Sequence, residues 1–203
     1  MKKTILTIAI AAITVFGISR SAHAATTGNG ARFSTMLTGI SNISEIEVHG
    51  NVKLYVTTGD ADQVKVYNDY YAEDALVQEQ NGVLRITSYE TKQLEVWVTV
   101  TDLSKLTAYD NAEIKSFGKF SSIDLNLALY NRASAQLDID AYSATVSLND
   151  RAMADLSGTV TEGDLKYARS AYLNTTNFAA AELTETVLNR PHRHFHPVEF
   201  AAL

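Results

Sequence analysis

Four short segments follow one another within residues 106–174: LTAYDNAEI from Leu106, LALYNRASA from Leu127, VSLNDRAMA from Val146 and LKYARSAYL from Leu165. Aligned on Ala112, Ala133, Ala152 and Ala171, they are spaced by 21, 19 and 19 positions. Each runs through an aliphatic residue, an alternating strand, a polar pair, a small residue and a second alternating strand. Such an even repeat, with period-two alternation and no helix-length segment, predicts an all-β fold of solenoid type. The expected architecture is a right-handed parallel β-helix with coils of about 20 residues.

The repeat positions have physical content. Leu106, Leu127, Val146 and Leu165 stand six places before the alanines, and Ala108, Leu129, Leu148 and Tyr167 stand four before. Residues two apart on a strand share a face, so both columns are expected to point into one core. Stacked about 4.8 Å apart, each becomes a ladder, and each buried Leu or Val contributes roughly 1.5–3 kcal/mol. Asp110, Asn131, Asp150 and Arg169 fall at the corner between strands. Asn and Asp suit it because they tolerate left-handed backbone and bond their own main chain. Arg132 is expected beside Asp150, softening repulsion in the acidic column.

Outward from the repeats, residues 1–24 read as a secretory signal peptide: Lys2 and Lys3, an apolar run from Ile5 to Ile18, and Ser21-Ala22-His23-Ala24 with cleavage after Ala24. The apolar run is shorter than a membrane span. Three of the 17 basic residues (Lys2, Lys3, Arg20) leave with it, so the remaining chain sets 14 basic against 23 acidic side chains, net −9. That balance argues against nucleic acid or anionic lipid as partner. The chain has no cysteine, which removes disulfides, thiol chemistry and a lipidated cysteine anchor. No later apolar stretch is long enough to span a bilayer.

Residues 25–42 read as a leader and 43–203 as a single domain. IEVHGNVKLYV repeats the strand–small–strand shape, with Val52 standing three repeat periods ahead of Ala112. Gly59-Asp60 and Asn81-Gly82 are turn signals, the second a hairpin signal. LEVWVTV from Leu94 alternates cleanly, while 70–77 is irregular. The alanine-rich 178–188 permits a helix on propensity, but Leu183 and Val187 continue the repeat columns and favour a strand. Pro191 and Pro197 bracket His192-Arg193-His194-Phe195-His196, a candidate C-terminal cap for the last coil.

ISEIEVHGNVKLYVTTGDADQVKV, then NGVLRI, then LEVWVTVTDLSKLTAYDNAEI and the repeats resemble, in that order, the putative auto-transporter adhesin, head GIN domain family of exported bacterial proteins. The resemblance runs from Ile43 to Asn189. It departs at the corners, where that family often has Gly-Ser-Gly and this chain has Asp110-Asn111-Ala112 and its counterparts. It implies a β-helix-like fold and a suggested role in adhesion at the cell surface, and it brings no catalytic residues.

The residues offer few catalytic constellations. Ser104, Ser134 and Ser147 have no histidine within the repeats. Asp138 and Asp140, or Asp110 and Asp150, could pair as a glycosidase would need. The even repeat spacing leaves no room for cleft-building loops, and solvated acids are the plainer reading. His192, His194 and His196 alternate as metal ligands on a strand would, but no acidic or sulfur ligand accompanies them and an exposed tail is the plainer reading, and His49 reads as a surface residue. Ten tyrosines and Trp97 favour binding, with Tyr109 and Tyr130 in one column where they could stack. The expectation is a non-enzymatic exported binding or adhesion module at the bacterial envelope, with no cofactor, meeting a protein or glycan, and with self-association possible. A carbohydrate-active lyase or hydrolase and a structural spacer are the alternatives.

Overall fold

Period-two alternation of buried and open side chains sets the strand content. The computed structural model describes residues 34–67 and 75–188, all within the unit Arg32–Leu203. The signal segment 1–24, the leader before residue 34, the 70–74 part of the irregular stretch, and the cap with His192, His194 and His196 lie outside the described residues. The strands are β1 (Thr35–Leu37), β2 (Glu45–Gly50), β3 (Val52–Thr58), β4 (Gln63–Tyr67), β5 (Ala75–Gln80) and β6 (Val83–Ser88). They continue with β7 (Leu94–Val100), β8 (Lys105–Ala108), β9 (Glu113–Leu129), β10 (Ser134–Leu148), β11 (Met153–Ala168) and β12 (Tyr172–Leu188). The alanine-rich 178–188 is therefore strand.

The expected right-handed parallel β-helix, a solenoid of equivalent stacked coils, is overturned. All twelve strands join one mixed sheet, whose longest path runs through nine of them in the order β1-β4-β7-β3-β9-β8-β2-β6-β5. The pairs β1·β4, β4·β7 and β5·β6 are antiparallel. The result is a curled half-barrel. The physical reason lies in the short connections of the first half. Asn81 and Gly82 both adopt positive φ (54° and 80°), and such a two-residue loop can only return β6 antiparallel to β5. The 59–62 loop leaves β4 antiparallel to β7, the strand that lies parallel to β3. Parallel pairing needs longer crossovers, which join β2 to β6 and β3 to β7 as well as the strands of the repeats.

Within that sheet the two aliphatic columns are in register. Leu106 faces Leu127, Leu127 faces Val146, and Val146 faces Leu165. The column extends through Ile46 and Leu84 on β2 and β6. All six side chains are at most 1% exposed. The corner column is equally regular: Asp110, Asn131 and Asp150 adopt φ of 62°, 60° and 57°, and Gly50 stands in the same column at 83°. Arg132 departs from its expected place beside Asp150. Its Nε donates to Asn111 Oδ1 at 3.1 Å. Asn131 instead separates the two acids, its Nδ2 donating to Asp110 Oδ1 (3.1 Å) and its backbone N–H to Asp150 Oδ2 (3.2 Å).

One carboxylate clips the first half together. Asp62 Oδ2 accepts the Ile43 amide at 2.8 Å, and Oδ1 accepts the Thr101 amide at 2.8 Å and hydroxyl at 3.1 Å. Desolvation pushes its pKa upward, but the Ile43 and Thr101 donors outweigh that and hold it below the ordinary 3.8.

Two outcomes are expected. Gly50→Ala would place a Cβ 2.1 Å from the Ser88 carbonyl oxygen at φ +83°. Urea denaturation should show a loss of about 1–3 kcal/mol or more, and a loss near zero contradicts the corner geometry. Because the folded pKa of Asp62 is depressed, its stabilisation is present above 3.8 and lost as pH falls through the lower folded value. Asp62→Asn should therefore flatten the acid limb of a stability-versus-pH curve, and an unchanged limb contradicts the clip.

Candidate functional site

In-register stacking brings together outward residues as surely as inward ones. Tyr109 follows β8 and Tyr130 follows β9, each one residue past a buried alanine or leucine of the core. Their rings stack at 4.9 Å with planes 8° apart, as the shared column predicts. His49 on β2 completes the stack, 4.4 Å from Tyr109 at 4°. Reading His49 as a plain surface residue misses this, yet the signal is present: His49 lies three before Val52, as Tyr109 lies three before Ala112.

This ladder walls a groove of about 230 Å³. Its floor is Thr107 and Ala128, short side chains in the neighbouring column, and its far wall is Glu45 with Lys105. Lys105 Nζ lies 3.0 Å from Glu45 Oε2, and that hydrogen-bonded carboxylate raises the lysine pKa. Glu47 ties the ladder down: Oε1 meets His49 Nε2 at 2.8 Å and Oε2 meets Arg85 Nε at 3.3 Å. Burial first, and then the Glu47 charge, push the Tyr109 hydroxyl pKa upward, so it stays a neutral donor. Tyr109 has both ring faces covered. Among the described residues His49 and Tyr130 each have a ring stacked on one side only, and of the two it is Tyr130 that lines the groove.

Trp97 sits in a second cluster, on β7. It stacks on Tyr55 at 4.4 Å, meets Phe117 at 5.3 Å and Tyr67 edge-on at 6.4 Å, and donates Nε1–H to Glu95 Oε1 at 2.8 Å. Its ring is largely occupied by these neighbours, and the cluster braces the outer face of β3, β4 and β7.

The carboxylates considered for catalysis fall elsewhere. Asp110 and Asp150 are engaged at the corner with Asn131. Asp138 and Asp140 share the outward face of β10, where Asp140 lies 3.9 Å from Lys119 and accepts the Thr159 hydroxyl at 3.4 Å. Ser104 donates to the Ser44 carbonyl, and Ser134 and Ser147 stand on outward positions of β10.

The described residues thus form an all-β curled sheet with an aromatic ladder beside a polar groove. The chain belongs to the "putative auto-transporter adhesin, head GIN domain" family, whose sequence profile matches residues 42–188. No curated protein matches it. Among solved structures it is similar to a "putative lipid binding protein" from Parabacteroides distasonis, with TM-score 0.61, 13% identity, and 76% of this chain and 78% of that one covered. A "putative adhesin" from the same organism has TM-score 0.55 at 16% identity, covering 76% and 77%. Another from Parabacteroides merdae has TM-score 0.55 at 14%, with the same coverage. At such identities the likeness is one of fold.

Proposed function

We propose that this domain is a non-enzymatic binding module of the bacterial envelope or surface, exported with removal of residues 1–24, and that it takes a glycan in the Tyr109–Tyr130 groove. The observation that carries the reading is the ladder itself. Three rings held in register by the sheet end at Tyr130, a half-buried ring that lines a polar trough. A pyranose offers an apolar C–H face to such a ring and hydroxyls to Glu45, Lys105 and Thr107. The family is named for adhesion, which accords with surface binding.

One structural neighbour is described as a lipid-binding protein, and an acyl chain is the competing ligand. The groove does not suit one. Its walls carry Glu45, Glu47 and Lys105, while the interior that could shield an alkyl tail is filled by the aliphatic columns of the core. A trough lined by charges rewards a polyhydroxylated ligand over hydrocarbon.

The exported chain lacking residues 1–24 provides the test, by its retention on envelope polysaccharide. Tyr130→Ala should weaken retention by up to about tenfold, one ring contact's worth, at a stability cost of about 0.5–1.5 kcal/mol for the single ring pair it removes. Tyr109→Ala should weaken retention and also cost about 1–3 kcal/mol of stability, because it removes two ring pairs at roughly 0.5–1.5 kcal/mol each. Undiminished retention in Tyr130→Ala contradicts the site. Stronger retention on lipid vesicles than on polysaccharide contradicts the ligand class.

A further inference from the structure

The trough beside Tyr109 and Tyr130 does not end with those rings. Its floor, Thr107 on β8 and Ala128 on β9, continues in register to Ser147 on β10, and Thr145 is the next outward residue of β10. Thr145 stands opposite Asp164 on β11 and lines a second cavity of about 320 Å³, which Ser143, Glu162 and Glu182 share. Short side chains therefore link the two cavities along one face of the sheet. From Thr107 to Asp164 the path crosses from β8 through β9 and β10 to β11, about 14 Å at the spacing of neighbouring strands. That is longer than one sugar ring.

Two polar groups on this path lack a partner among the described residues. Thr107 is only 7% exposed although it lies on the outward side of β8, and its hydroxyl has no hydrogen bond. Asp164 gives Oδ2 to Lys166 and leaves Oδ1 buried with no donor. Unmet groups of this kind reward a ligand that can hydrogen-bond with them. The charges narrow the ligand further. Lys105 and Lys166 are already paired with Glu45 and Asp164, while Glu162 and Glu182 add negative charge at the far end. An acidic chain would meet like charge there.

We propose that the ligand is an internal stretch of a neutral linear polysaccharide, lying across β8 to β11 with hydroxyls on Thr107 at one end and Asp164 at the other. This rests on the glycan reading of the Tyr130 groove and adds the length and charge of the ligand. A single terminal sugar would fill the first cavity alone and leave the second empty.

Calorimetric titration of the exported chain reads both properties. The probes are neutral gluco-, manno-, xylo- and galacto-oligosaccharides from disaccharide to hexasaccharide, with oligogalacturonate as the acidic probe. In the series that binds, the hexasaccharide should bind about tenfold or more tighter than the disaccharide, and oligogalacturonate more weakly than the neutral hexasaccharide. Thr107→Val, which keeps the shape and removes the hydroxyl, should weaken both lengths about threefold or more. Thr145→Tyr fills the link between the cavities and should erase the difference between the two lengths. Equal affinity for both lengths, each weakened in Tyr130→Ala, overturns the extended trough and leaves the Tyr130 site standing. A length dependence untouched by Thr145→Tyr overturns the path, and tighter binding of oligogalacturonate overturns the charge assignment. Binding of no series, or binding indifferent to Tyr130→Ala, defeats the groove reading and this inference with it. Thermal melting checks that Thr145→Tyr is folded; if it is not, the length series in the unsubstituted chain decides alone.

Discussion

Six strands place an aliphatic side chain at one inward position: Leu84, Ile46, Leu106, Leu127, Val146 and Leu165, each opposite the next across a parallel ladder. Buried Leu, Ile and Val contribute about 1.5–3 kcal/mol apiece, but the larger consequence is registration. A slip of one residue would turn every one of these side chains to water. Holding them in line also aligns the corners, so Gly50, Asp110, Asn131 and Asp150 all meet the left-handed requirement at the same point. It aligns the outward neighbours as well, which is why His49, Tyr109 and Tyr130 form a stack instead of three scattered rings. The groove is therefore a by-product of core packing, fixed before any ligand arrives.

Some of this is legible in the sequence, and the rest is hidden for identifiable reasons. Register among Leu106, Leu127, Val146 and Leu165 can be read because the spacing is even and the columns are chemically uniform. The stacking of Tyr109 on Tyr130 follows from the same alignment. The architecture does not follow. A repeat reports only the pairings between its own units, and the pairing of β4 and β5 is set by short local turns outside it. The Asn81-Gly82 hairpin signal is visible, yet the repeat outweighs it in any reading that arrives at a parallel β-helix. Arg132 is misplaced because sequence offset says which corner residues are neighbours but not which way a long side chain leans. It leans toward Asn111, and the shorter Asn131 bridges the acids. Glu45, Glu47 and Lys105 escape notice because alternating charges on an outward strand face look like ordinary solvation.

Function in such a domain resides in outward columns, since the inward ones are consumed by packing. The sheet gives each outward column a fixed pitch and a choice of side chain at every step. Where rings occupy the column they stack and cover one another's faces, leaving the two terminal rings stacked on one side only. Where short residues occupy it, as at Thr107 and Ala128, a trough opens. Binding capacity thus depends on where a column changes character. Tyr130 marks such a change, with Asn149 at the next position of its column.

The registration of the inward column is best tested at its middle. Leu127→Ala removes a side chain flanked on both sides by Leu106 and Val146, and urea denaturation should show a loss of about 2–5 kcal/mol. The same truncation at Ile123, which is 68% exposed, should cost little. A Leu127→Ala loss no greater than that of Ile123→Ala would contradict the account.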